Sequence, residues 1–317
     1  MVLVTAAAGA AALGVALPLC VAKLLSKMHG SVGMAPPTPL MLEQEPPAGC
    51  ALFKYLPELR TKIAWRSLDA ARTPVHRCIV ETSNGPVEVW AKREDLAHPM
   101  YGGNKVRTLQ HQLAVIEARS QREARYKEVY VVGSGGSNQV VATAVHACRL
   151  RLPPINVLWL DKDEPDLDNT LNMLSTLSLP LASTQDWGSM LRCVRTLLSA
   201  TFGGGGVVLP LGGNNPSGVL GQLSAALELA EQIDSDEAPD PKRIYLPVGS
   251  ACTISGLVMG IVLSRHLGLN AFKHEQFRLV GTIVEHKLAF LERTVNFHRN
   301  LFAQRVPLTI RCVRVRC

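Results

Sequence analysis

Aromatic residues are scarce in this chain, with four Trp, five Tyr and seven Phe among 317 residues. A groove that grips nucleic-acid strands needs aromatic platforms set among clustered cations. Here Lys and Arg are scattered and thicken only at Arg305, Arg311, Arg314 and Arg316. Nucleic acid is therefore not an expected partner, and the formal charge of +7 is read as suiting a site for small anions. Paired cysteines are also missing. Cys20, Cys50, Cys78, Cys148, Cys193, Cys252, Cys312 and Cys317 form no CxxC pair and match no zinc spacing, so no metal centre is expected. Lone thiols spread along a chain of this length suggest a reducing compartment. No GxxxxGK[ST] string occurs, which excludes a P-loop. With 47% hydrophobic and 19% charged residues the composition is globular, and the length suits about two domains.

Charge is absent from residues 2–22, a run of apolar and small residues long enough to span a bilayer as a helix. Lys23 and Lys27 follow at once, which places the C-terminal side of such an anchor in the cytoplasm. The other readings of residues 1–27 are a cleaved or uncleaved leader, with the body cytoplasmic or organellar. Residues 28–64 hold Pro36, Pro37, Pro39, Pro46, Pro47 and Pro57 and read as a linker. The folded body is expected to begin near Trp65.

From there short branched apolar runs alternate with helical patterns. Residues 127–132, 155–160, 207–211, 243–248 and 278–284 read as buried parallel strands. Apolar residues recur at helical spacing through 105–119 and 217–232. The stretch 253–268 is bracketed by Thr253 as an N-cap and Gly268 as a stop. The alternation predicts an α/β fold with a mostly parallel sheet.

Three glycine-rich junctions punctuate this rhythm: residues 101–105 (YGGNK), 133–138 (GSGGSN) and 249–253 (GSACT). Ligands of open α/β sheets bind at the carboxyl ends of strands, where helix N-termini offer free N–H groups and a partial positive charge. The junction 249–253 is thus a candidate phosphate cradle, with Ser250 and Thr253 as extra donors; its bland alternative is an ordinary strand-to-helix turn. Lys105 sits at a helix start, whose positive end disfavours a further cation and helps to depress its pKa. A neutral lysine amine is the form that attacks an aldehyde. A dinucleotide fingerprint would need a third glycine where Asn138 stands. With Asp161 as a ribose acid, a nicotinamide enzyme remains the rival reading.

In this order the junctions resemble the family of 1-aminocyclopropane-1-carboxylate deaminase and D-cysteine desulfhydrase. The similarity rests on residues 92–96 (KREDL) with 101–107 (YGGNKVR), on Ser137-Asn138-Gln139, on 211–215 (LGGNN) with 218–221, and on 245–257. It covers about residues 66–285. The resemblance implies a tryptophan synthase β-like fold: two open parallel-sheet domains with pyridoxal 5′-phosphate (PLP) between them. The small domain would span 103–212, and the large one would combine 65–102 with 213–317. Lys105 would carry the cofactor and shuttle protons, and Asn138 would hydrogen-bond its phenolic oxygen. Gly249, Ser250, Ala251, Cys252 and Thr253 would hold its phosphate. Ser137, Asn138 and Gln139 would lie near the substrate carboxylate, with Ser137 also a catalytic candidate. The implied partners are a small amino acid and a second copy of the chain. The implied reaction is elimination from D-cysteine or a cyclopropane amino acid, releasing ammonia and a keto acid.

Two departures stand out. The family's phosphate loop carries two glycines after its serine, and here they are Ala251 and Cys252. The family also has a late active-site tyrosine and a partner for the pyridine nitrogen, whereas the last tyrosine here is Tyr245. Part of the large domain is therefore expected to be missing, which leaves a truncated, catalytically inactive member as a second reading.

Overall fold

The structure, a computed structural model, describes residues 35–44, 50–122, 128–160, 167–186, 195–196, 198, 206–284 and 311–314. The proposed anchor at 2–22, Asp161 and most of the tail lie outside the described residues. Among the described residues no helix is long and apolar enough to cross a membrane.

The proline-rich stretch differs from a linker wherever it is described. Two short helices, α1 (Pro39–Leu42) and α2 (Ala51–Tyr55), form there. Leu52 and Ala51 are almost wholly buried, and Phe53 meets Trp65 edge-on at 5.7 Å. Pro39 and Pro57 sit at helix starts, where a missing N–H costs nothing, so a high proline count concealed packed structure. An antiparallel hairpin, β1 (Val75–Thr82) and β2 (Gly85–Lys92), follows. It departs from the expected parallel pattern, and most of its residues are exposed on both faces.

Next come α3 (Asn104–Arg122), β3 (Glu128–Ser134), α4 (Asn138–Arg149), β4 (Ile155–Leu160), α5 (Leu167–Leu177), β5 (Leu181–Asp186) and β6 (Gly206–Leu209). The strands form one parallel sheet in the order β5-β4-β3-β6. Val131, Val157 and Leu209 are fully buried in it, as strands covered on both faces require. The chain runs outward from β3 through β4 to β5 and then returns to β6 on the other side. The direction reverses between β3 and β6, and the crevice outside their carboxyl ends is where such sheets bind ligands.

The second sheet is built from β7 (Arg243–Val248), β8 (Arg278–Ile283) and β9 (Arg311–Arg314), all parallel. Its helices are α6 (Pro216–Asp234) and α7 (Cys252–His266). Helix α6 starts cleanly because Asn215 accepts from the Gly218 N–H (2.8 Å) and Pro216 takes the first helical position. Gly221 lets α6 press against α3, since a Cβ there would lie 1.9 Å from the Arg107 carbonyl oxygen. The first turn of α3 is thereby held against the second sheet's helices.

Candidate functional site

The carboxyl ends of β3 and β6 open into two of the glycine-rich segments, residues 133–138 and 210–213. Gly103, at φ +96°, turns the chain into α3 and sets Lys105 on that helix's first turn. The Lys105 Nζ donates to the Gly212 carbonyl at 2.9 Å. Burial of the amine holds it below the ordinary lysine range; the neighbouring Cys252 acts weakly the other way. Desolvation, rather than the helix end that the sequence suggested, is the main cause.

The 249–253 junction meets the same turn. Ser250 Oγ donates to the Gly212 carbonyl (3.3 Å), Asn214 Nδ2 donates to the Ser250 carbonyl (2.7 Å), and Cys252 Sγ lies 3.5 Å from the Gly213 carbonyl. Asn104 Nδ2 donates to Thr253 Oγ1 at 2.8 Å, which leaves the Thr253 proton to donate elsewhere. The residue before α7, Ala251, caps nothing with its side chain, and the Cys252 N–H reaches Ser250 Oγ only at 3.5 Å. An uncapped N-terminus flanked by two hydroxyls is a fitting seat for a phosphate. Ala251 and Cys252, where the sequence departs from glycine, are buried at 3% and 1% exposure, and the Cys252 thiol is turned toward the Gly213 carbonyl. Ala251 does take φ +65°, a left-handed conformation that glycine adopts without strain.

The 133–138 junction and the residue after it are placed unequally. Ser137 precedes α4, partly buried against the end of β3. Asn138 is exposed on the first turn, and its Oδ1 accepts from Tyr101 Oη (2.9 Å) and Asn172 Nδ2 (2.8 Å). Gln139 points away from that surface. It is 1% exposed, and its Nε2 donates to Gln112 Oε1 (3.4 Å) and Thr143 Oγ1 (3.3 Å). Gln112 in turn donates to the Gly213 carbonyl (2.8 Å). Gln139 thus lies behind the Gly213 turn.

Sequence reasoning gave no role to Tyr101, Asn104, Asn172 or Asn214. Three of them lie inside strings already recognised, so their contacts were within reach. Asn172 sits on α5, a helix that the patterns did not reveal.

The lysine motif also contains a buried ion cluster. Arg107 donates to both carboxylate oxygens of Glu94 and of Glu228, and Lys92 reaches Glu228, Gln232 Oε1 (2.8 Å) and the Thr73 carbonyl (2.6 Å). Burial alone would push the Glu228 carboxyl up, but Arg107 and Lys92 more than offset that and hold it at about 2. Residues 92–107 are thus tied to α6 through charge.

The family model described as pyridoxal-phosphate dependent enzyme matches residues 66–284. The nocardicin C-9′ epimerase of Nocardia uniformis subsp. tsuyamanensis is 31% identical over 184 residues, 56% of this chain and 54% of that protein. The mitochondrial bifunctional D-cysteine desulfhydrase/1-aminocyclopropane-1-carboxylate deaminase of Arabidopsis thaliana is 30% identical over 207 residues, 61% of this chain and 50% of that one. The chain therefore spans about half the length of these curated relatives. A crystal structure of an ACC deaminase homologue superposes with a TM-score of 0.57 at 21% identity, covering 83% of this chain and 76% of that chain, and so shares the fold.

Proposed function

The chain belongs to the family of pyridoxal-phosphate dependent enzymes, and from that premise we propose that it is a deaminase or desulfhydrase-type lyase acting on a small amino acid. D-cysteine and 1-aminocyclopropane-1-carboxylate are the substrates of choice, with ammonia and a keto acid as products. One observation carries the reading: Lys105 holds a partly enclosed amine, kept off its ordinary protonation range, between the carboxyl end of β6 and the uncapped start of α7. A neutral amine there is nucleophilic toward an aldehyde, and the helix start stabilises a phosphate dianion. When bound, pyridoxal phosphate supplies the electron sink that such eliminations need.

The chain's own residues divide the remaining work. Lys105 anchors the cofactor and carries protons at Nζ. The 249–253 amides, with the Ser250 and Thr253 hydroxyls, hold the phosphate, and Asn138 supports the ring. Ser137, at the turn before α4, would meet the substrate carboxylate. A second copy of the chain as partner belongs to the same proposal.

The test is a visible absorbance spectrum of the purified full chain with added pyridoxal phosphate, before and after borohydride reduction. We expect a band that reduction converts into a covalent adduct on the Lys105 peptide, and that is missing in Lys105→Ala. Ammonia and keto-acid release is then measured with D-cysteine and 1-aminocyclopropane-1-carboxylate. A folded chain with no band, or an adduct on another lysine, rejects the assignment of Lys105. A correct adduct with neither substrate turned over rejects the substrate class.

A further inference from the structure

Asn138 carries an amide whose two ends look alike in shape but differ in chemistry: oxygen accepts and nitrogen donates. Which end it offers to a ligand is decided by its neighbours. The Gly136 carbonyl can only accept, and Asn172 approaches it at 3.0 Å, so the approaching atom of Asn172 is its Nδ2. The second hydrogen of that Nδ2 goes to Asn138 at 2.8 Å. The Asn138 atom it meets is therefore the oxygen. Tyr101 Oη donates to the same oxygen at 2.9 Å. Both lone pairs of Asn138 Oδ1 are then filled, and only the two hydrogens of its Nδ2 are left for a ligand.

We infer that Tyr101 and Asn172 clamp Asn138 as an obligate donor, so that the ring oxygen of a cofactor held on Lys105 is favoured in its deprotonated form. The inference rests on the function proposed above. The two clamping side chains come from different segments, one preceding α3 and one on α5, and Asn172 is itself held in place by the Gly136 carbonyl. Without them the amide is free to turn and offer its oxygen, which would repel an anion and suit a protonated ring oxygen instead. Tyr101 and Asn172 are positioning residues: they act on the cofactor only through Asn138.

The consequence is a colour change at a defined pH. A donor fixed on the anionic ring oxygen lowers the oxygen's hold on the proton it shares with the Lys105 nitrogen. Removing the clamp raises the pH at which that proton leaves. Full-length protein loaded with pyridoxal phosphate is titrated by visible absorbance as parent, Asn172→Ala and Tyr101→Phe, with melting followed in parallel. The expected result is an upward shift of the spectral midpoint by about one pH unit in Asn172→Ala, the size set by one charged hydrogen bond. Tyr101→Phe, which removes a single oxygen atom and keeps the ring, shifts it in the same direction by less. If Asn172→Ala does not fold, Tyr101→Phe alone decides. A band in all three proteins with an unmoved midpoint overturns the clamp and leaves the cofactor assignment standing. No band in the parent overturns both.

Discussion

Residue 251 shows how a single side chain strains a binding loop. Alanine there is held at φ +65° at the start of α7, where a Cβ costs about 1–2 kcal/mol. Ala251→Gly is expected to stabilise the fold by about 1 kcal/mol, since relief of the left-handed strain outweighs glycine's extra freedom when unfolded. Urea unfolding of the two proteins measures it, and a loss of stability would show that the loop relaxes without help. The same position marks the limit of reading the site from sequence. Lys105, Asn138 and the 249–253 junction stand out in the sequence as candidate positions because glycines and a strand-to-helix rhythm advertise them. The depressed Lys105 amine was anticipated for an incomplete reason, because burial depends on Gly212 and Cys252, more than a hundred residues away. Gln139 was legible as part of a motif, but its inward orientation depends on Gln112 and Thr143 and could not be read from spacing.

Helix α6 is joined to the lysine motif by buried charge as well as by the close approach at Gly221. Removing the Glu228 carboxylate leaves Arg107 with Glu94 alone and Lys92 without its carboxylate partner in a largely buried setting. Glu228→Ala should cost about 3–5 kcal/mol, the range found when one partner of a buried pair is deleted. Urea unfolding measures this too, and a loss below about 1 kcal/mol would mean that water reaches the cluster. Of the elements that sequence patterns captured, α3, α6, α7, β3, β4 and β6 each bury one long apolar face or run, whereas β7, expected to be buried, alternates and leaves Tyr245 66% exposed. The missed ones lack that signature. The β1–β2 hairpin exposes Ile79, Val80, Val87 and Trp90, so neither face follows an inside–outside alternation. Helix α5 turns Leu167, Leu171, Leu174 and Leu177 outward, and Thr176 is its buried residue. Strand β9 lies in a tail whose arginines masked four residues that pair with β8.

Across the whole molecule, buried ionisable groups set the response to acid. His111, on α3, is 2% exposed and faces the Ala64 carbonyl at 3.1 Å; His146, on α4, is fully buried and meets the Tyr101 carbonyl at 3.2 Å. Burial pushes both imidazoles down to about 4. Between pH 6.5 and about 4 the unfolded chain binds protons that the folded chain refuses. Stability therefore falls as pH drops through that window, by about 3 kcal/mol for each histidine. Glu228 adds a second window: its contribution is intact above the ordinary carboxylate range and is lost as pH falls toward about 2. Urea midpoints measured from pH 8 to pH 4 should decline below about 6.5, and a flat profile would contradict the burial of both rings.

The charge cluster also dictates an order of events during synthesis. Arg107 is made early, but Glu228 follows 121 residues later. Until that carboxylate emerges from the ribosome, Arg107 and Lys92 outnumber Glu94, and burying them would strand a cation out of water. The growing chain is thus obliged to keep the start of α3, and Lys105 with it, wet and undocked while the four-stranded sheet is already complete. The candidate site also needs the 249–253 turn, so it closes only after the four-stranded sheet is made, and a chain stalled before residue 228 would leave Lys105 without that turn beside it.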